Sequence, residues 1–460
     1  MGMDYTKLDQ TVESLREPLI KTLQKWIRIE SVKGEPAPHA PFGQAVRKML
    51  DAALTDCREL GFEVRDIDGY AGDAQMGQGE DVLGILAHLD IVPAGDGWKT
   101  DPFGGDLIGG RIYGRGTNDD KGPAVAALYA MKAVQLAGIP LKKRVRLILG
   151  CDEESGMEDM KYYEKHADMP RMGFSPDACF PVINTEKGLY HLKLRGPAAR
   201  DGLKVKRIEA GQRPNVIPGL AEAYVAGDAE TVRKVTSFSQ TAGYPVTAEC
   251  CEDGQVKITA QGVAGHAAMP ETAKNAIGRL LKTLEHLGVQ GPLLRLAQAI
   301  GLEYDGASLN IAVSDRLSGA LTLNLGILHA DEEGVEATID IRYPVMASPE
   351  AILKAISSAV HPARLTVSES AFKQPHHVPE SSALVQSLLD AYHEVTGLPR
   401  EAIAIGGGTY ARCLKEGVAF GSLFPDEEEL AHQAGEYMNI DSLMKNVQIF
   451  ARAIVKLAGA

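Results

Sequence analysis

Histidine and carboxylate side chains recur in five short segments of this 460-residue chain: Leu86-Ala-His-Leu-Asp90, Gly114-Arg-Gly-Thr-Asn-Asp-Asp-Lys-Gly122, Cys151-Asp-Glu-Glu-Ser-Gly156, Ser175-Pro-Asp-Ala178 and Ala431-His-Gln-Ala-Gly-Glu436. Together they offer the donor types of a two-zinc hydrolytic centre, because zinc takes imidazole and carboxylate ligands and a catalytic pair keeps a position open to water or substrate. If Asp119 bridges, each metal receives three protein ligands: His88, Asp119 and Asp177 for one, Asp119, Glu154 and His432 for the other. The adjacent Glu153 and Glu154 point in different directions, so one can bind metal while the other serves as general base. On a strand, residues two apart share a face, which puts Asp90 behind His88, where it can fix the ring tautomer.

These residues need strand ends and tight loops to present them. The apolar run Val82–His88 reads as a buried strand. The stretch from Gly122 to Leu136 reads as a helix with Pro123 in its first turn. Val145–Gly150 reads as a second buried strand that leads straight into the acidic Asp152-Glu153-Glu154. Strand, helix and strand in that order predict a three-layer α/β catalytic domain with a mixed, largely parallel sheet and its site at strand ends. Apolar spacing from Val12 to Ile27 predicts an opening helix, which Pro18 can bend. After Glu186 the texture changes to alternating strands such as Leu189–Leu194 and Ala337–Arg342, with a helix near Lys274–Leu287. That pattern predicts a separate α+β unit with an antiparallel sheet. Beyond Pro379 helical periodicity returns, followed by the Gly406-Gly-Gly-Thr409 loop and His432.

Composition narrows the function classes. The length suits two or three domains of about 100–200 residues. With 61 acidic against 48 basic residues, a net charge of −13 and no basic-aromatic cluster, the chain is a poor partner for nucleic acid or anionic membranes. The six cysteines, at 57, 151, 179, 250, 251 and 413, lack both metal-knuckle spacing and the density of a disulfide scaffold. They suggest reduced thiols and a cytoplasmic protein. No apolar run reaches membrane-spanning length. Gly2 formally matches a myristoylation pattern, which we read as a chance match.

On these motifs the chain resembles the co-catalytic zinc peptidase superfamily of aminoacylases, glutamate carboxypeptidases, succinyl-diaminopimelate desuccinylase and carnosine-type dipeptidases. It is most similar to the bacterial PepV-type dipeptidases, also through Pro176–Gly188 and Ile405-Gly-Gly-Gly-Thr-Tyr-Ala-Arg412. The resemblance implies metal ligands His88, Asp119, Glu154, Asp177 and His432, general base Glu153, and Asp90 as the partner orienting His88. It implies a cis peptide after Asp119, two Zn²⁺ with Mn²⁺ or Co²⁺ as substitutes, and a small peptide substrate. A discontinuous catalytic domain (1–187 and 380–460) would be interrupted by a lid at 188–379. The enlarged PepV-type lid implies a functional monomer, with a dimer not excluded.

From the lid, the resemblance implies that His266 stabilises the carbonyl oxyanion and that Asn215 and Arg342 bind substrate, with lid closure bringing His266 and Arg342 to the metals. Backbone amides of Gly407 and Gly408 could meet a substrate carboxylate, or their loop could be a plain turn. One departure is visible: the family often has Asn or Asp before Glu436, where this chain has Gly435. Tandem His376-His377 falls in no matching motif. Two rivals stand beside the dipeptidase: an amidohydrolase of N-acyl amino acids or succinyl-diaminopimelate, and a non-catalytic metal- or peptide-binding homologue, against which a base beside a full ligand set argues.

Overall fold

Val82–His88 forms a strand buried on both faces, and the layers around it follow from its alternation. Leu83, Ile85 and Ala87 join one core with Val125, Leu128 and Val447, while Leu86 packs with Ile148, Met160 and Tyr163 in another. The computed structural model describes residues 4–459, so the Gly2 match lies outside the described residues. The sheet runs in the order Glu63–Ile67, Ala71–Met76, Arg144–Gly150, Val82–His88, Met172–Ser175, Glu416–Ala419, Val182–Glu186. Its central neighbours, from Arg144–Gly150 to Glu416–Ala419, are parallel. Helices Lys121–Ala137 and Ile440–Ala458 cover one face; the helix Glu158–His166 and the short 3₁₀ turn Tyr410–Cys413 lie on the other.

The chain divides into two units, Met1–Asn184 with Val378–Ile403 and Gly408–Ala460, and Thr185–His377 with Ala404–Gly407. The second carries an antiparallel sheet ordered Val246–Cys250, Gln255–Gln261, Leu220–Ala226, Val205–Ala210, Thr322–Asp331, Gly334–Tyr343, Gly188–Pro197, Thr366–Lys373. Helices including Ala276–His286 and Pro349–Val360 bury Ile277, Leu280, Ile352 and Ile356 against it.

The opening segment differs from the single helix that its periodicity predicts. Helix Thr6–Ser14 ends at Leu15 and a second runs Arg16–Ile27. Pro18 sits in the first turn of the second, where its missing N–H costs no helical bond. Among the described residues no helix is long and apolar enough to cross a membrane.

Candidate metal centre

Three parallel strands end side by side and deliver three of the segments. His88 closes its own strand, Gly150 of the next leads into Asp152-Glu153-Glu154, and Ser175 leads into Asp177. Asp119 comes from the loop entering the helix Lys121–Ala137, across a cis peptide to Asp120. His432 comes from a loop that precedes the last helix.

The side chains converge on the Asp119 carboxylate. His88 Nε2 is 2.8 Å from its Oδ1, and His432 Nε2 is 2.9 Å from its Oδ2 and 2.9 Å from Glu154 Oε1. Asp177 Oδ2 stands 3.7 Å from His88 Nε2. Potential ligand atoms of His88, Asp119 and Glu154 lie within 4.8 Å of one another, as do those of His88, Glu153 and Asp177. Despite its short distance to Asp119, the buried His88 Nε2 makes no hydrogen bond. A nitrogen and an oxygen so placed, each an electron-pair donor, fit a shared cation better than a proton, and the surrounding carboxylates supply the rest of a metal's donor set.

Burial and the mutual repulsion of the carboxylates set the proton affinities of the cluster. Burial, then the Asp119 charge, lifts Asp177 to about 7. Burial, then Asp177, pushes Glu153 well above the ordinary carboxylate range, and burial with Asp119 raises Glu154. Burial would raise Asp119 too, but His432 and His88 outweigh it and hold it below its usual value. His432, bonded to Asp119 and Glu154, is lifted to about 10.

The surrounding bonds assign Asp90 more than the orienting role expected of it. The nearest acceptor to His88 Nδ1 is the Asp90 backbone carbonyl, at 2.9 Å, with the carboxylate at 3.5 Å. That carboxylate instead accepts the backbone amides of Glu153 and Glu154, each at 3.2 Å, so one residue fixes both the imidazole and the acidic turn. Asp152 anchors the turn further, accepting from Lys33 Nζ at 2.6 Å. Asp159 accepts the amides of Cys151 and Asp152 and the hydroxyl of Tyr410, whose ring meets His88 edge-on. Asp120 Oδ2 accepts the His88 amide. These supports went unread in the sequence; the second carboxylate of Asn118-Asp-Asp-Lys121 was the one local signal.

In the second unit, the residues expected to bind substrate form a connected set. Val216 pairs with His266 across a short ladder, and the Asn215 carbonyl accepts the Ala267 amide. Asn324 Nδ2 donates to the carbonyls of Pro214 and Val216, bracketing Asn215. His266 Nδ1 accepts the Ala268 amide at 3.2 Å, which assigns the ring proton to Nε2. Ala268 lies so close to Gly406 that any side chain there would collide with it. The Gly406 carbonyl accepts from Arg342 Nη1 at 2.9 Å. A Cβ at Gly407 would meet Ile405 at an ordinary 3.7 Å, and Gly408 packs on the Arg412 guanidinium. His376 and His377 lie in a strand pairing with Glu186 and Thr185.

Known proteins share this architecture over the full length. Residues 84–456 match the model of peptidase family M20/M25/M40. "Putative dipeptidase YtjP" of Bacillus subtilis (strain 168) is 39% identical over 456 residues, covering 96% of this chain and 98% of that protein. The "Beta-Ala-Xaa dipeptidase" of Lactobacillus delbrueckii subsp. lactis is 32% identical over 469 residues, covering 99% of each. In fold, the chain resembles the dipeptidase Dug1p from Saccharomyces cerevisiae, with a TM-score of 0.60 at 14% identity over 99% of each chain. Human carnosine dipeptidase 1 aligns with a TM-score of 0.58 at 16% identity over 98% of each. Donor set, strand-end geometry and full-length likeness agree: the chain belongs to peptidase family M20/M25/M40, whose metallopeptidases are metal-dependent.

Proposed function

We propose that this protein is a dinuclear metal-dependent dipeptidase. What supports the reading is the convergence of His88 and His432 on opposite oxygens of one carboxylate, Asp119, in a chain matching dipeptidase-named relatives end to end. His88, Asp119 and Asp177 would hold one ion, and Asp119, Glu154 and His432 the other. Zn²⁺ suits the donors, and Mn²⁺ or Co²⁺ can replace it. When bound, such a pair acidifies a water and polarises the scissile carbonyl.

The remaining steps fall to the chain. Glu153, whose burial raises its proton affinity, takes as the carboxylate the proton of the attacking water and, now protonated, returns it to the leaving amine as the tetrahedral intermediate collapses. His266, with its proton on Nε2, donates to the carbonyl oxygen as negative charge develops. Arg342 meets the C-terminal carboxylate of the substrate, and Asn215 its backbone, which limits the substrate to a short peptide with a free C-terminus. The alternative is the hydrolysis of N-acyl amino acids by the same machinery.

A panel of α-dipeptides, tripeptides, β-alanyl dipeptides, N-acetyl amino acids and N-succinyl-diaminopimelate, assayed with defined Zn²⁺ or Mn²⁺, tests the proposal. Cleavage confined to dipeptides is expected. A preference for acylated amino acids would overturn the substrate class and leave the metal chemistry standing.

A further inference from the structure

Arg342 does not reach substrate as an unconstrained cation. Its Nε and Nη2 each donate to Asp340 at 2.7 Å in a bidentate fork, and its Nη1 donates to the Gly406 carbonyl. Three of the roughly five N–H groups of a guanidinium are thereby fixed. Asp340 is 1% exposed and carries a second load: its Oδ2, already bonded to Arg342, also accepts from His191 Nε2 at 2.8 Å. Register explains the meeting. Asp340 and Arg342 lie two apart on the strand Gly334–Tyr343 and share a face, and His191 stands directly opposite Asp340 on Gly188–Pro197.

We infer that His191 and Asp340 are positioning residues for substrate recognition, acting through Arg342. The inference rests on the reading of Arg342 as the carboxylate clamp. Bidentate pairing with Asp340 locks the guanidinium plane, but a lone carboxylate partner would also neutralise it and weaken its hold on a second carboxylate. By sharing Oδ2, His191 draws on part of the Asp340 charge and leaves Arg342 cationic toward substrate. The low proton affinity of Asp340, where His191 and Arg342 outweigh burial, agrees with this sharing. His191 is 20% exposed at its side chain, so it can be changed with less damage than the buried pair.

The test compares steady-state kinetics of the full metal-loaded protein on one dipeptide with a free C-terminus and on its C-terminal amide. His191→Leu is expected to raise KM for the free dipeptide on the order of tenfold, with kcat and amide hydrolysis little changed. His191→Gln, which presents an amide N–H near the same place, should restore KM. His191→Asn, too short to reach Asp340, should behave as His191→Leu and carries the test if the leucine variant does not fold. An unchanged KM in both, or an equal rise for the amide, overturns the inference. Arg342→Ala separates the two levels. If it keeps the preference for a free C-terminus, the clamp and the inference fall together; if it loses the preference while His191→Leu and His191→Asn keep it, the inference alone falls.

Discussion

Arg115 Nη1 and Glu436 Oε2 form a buried ion pair 2.5 Å long across 321 residues of sequence. The other Glu436 oxygen accepts the Asn118 amide at 2.8 Å and the Asp119 amide at 3.4 Å, so the pair grips the loop that presents the central carboxylate of the site. Breaking one side of a buried pair leaves an uncompensated charge and costs about 3–5 kcal/mol. Glu436→Gln is expected to fall toward the lower end of that range, because it keeps one acceptor, and to lower metal occupancy. Urea unfolding and metal analysis on the same sample check this. Stability and occupancy both at the parent level would show that the pair does not hold the loop.

Lys121, next along the same loop, is fully buried and donates to the carbonyls of Trp26 and Ile29. Burial lowers it to about 7 against the opposing charges of Glu436, Asp90 and Glu30. Between that value and the usual 10.5 the unfolded chain binds the extra proton, so stability from this group rises with pH across the window and is flat below it. The stability of the parent relative to Lys121→Met should therefore increase from pH 7 toward pH 10. Urea titrations of both proteins at several pH values give the slope; a difference independent of pH would mean that Lys121 titrates normally.

Removing the metal should loosen the site, because Asp119, Glu154, Asp177 and Glu153 then rely on shared protons and two imidazoles for neutralisation. Chelation is expected to lower Tm and abolish activity, with both restored by Zn²⁺ or Mn²⁺. A ligand at about 100 times its Kd adds about 2.7 kcal/mol. A Tm indifferent to chelator, in protein shown by analysis to have lost its metal, would contradict the assignment of these side chains as ligands.

The strand-end segments were legible because each couples an apolar run to acidic or imidazole side chains, a pattern that survives in one dimension. Val82–His88 and Arg144–Gly150 are strands where the hydrophobic runs put them. The separate antiparallel unit showed in its alternation. What held the site together was not legible. Lys33 with Asp152, Tyr410 with Asp159 and Arg115 with Glu436 are pairs 119, 251 and 321 residues apart, and no local periodicity records a long-range bond. The grouping of Ala404–Gly407 with the second unit was hidden for the same reason: it rests on contacts such as Arg342 with Gly406. Pro18 misled by position, since a proline in the first turn starts a helix as readily as it bends one.

Glu153 provides the sharpest separation between binding and chemistry. It is not one of the ligands in the proposed pair, so Glu153→Ala should retain metal while losing about 10²–10⁴ in kcat, the range for a positioned general base. The measurement is turnover at full, independently determined metal occupancy. Near-normal activity under those conditions would remove Glu153 as the base. Loss of metal along with activity would instead make it a ligand, which its proximity to His88 and Asp177 makes a real contrast to test.

Gly435 stands directly before Glu436, and its backbone shows what the position requires. Its φ is +85°, in the left-handed region that glycine adopts freely and Asn and Asp adopt more readily than other residues, and a Cβ there would meet nothing within 4 Å. Space is therefore not the constraint; conformation is. Gly435→Asn should keep both stability and metal affinity close to the parent. A β-branched residue must pay about 1–2 kcal/mol for the same φ or turn away from it. Because His432, three residues earlier, is itself held at φ +64°, a relaxing turn would move the imidazole off Asp119 and Glu154. Gly435→Val should thus bind the second metal equivalent on the order of tenfold more weakly while the first, held without His432, is retained. Titration of the metal-free variants with Zn²⁺ distinguishes the two equivalents. Parent-like binding of both by Gly435→Val would mean that the turn does not set the position of His432.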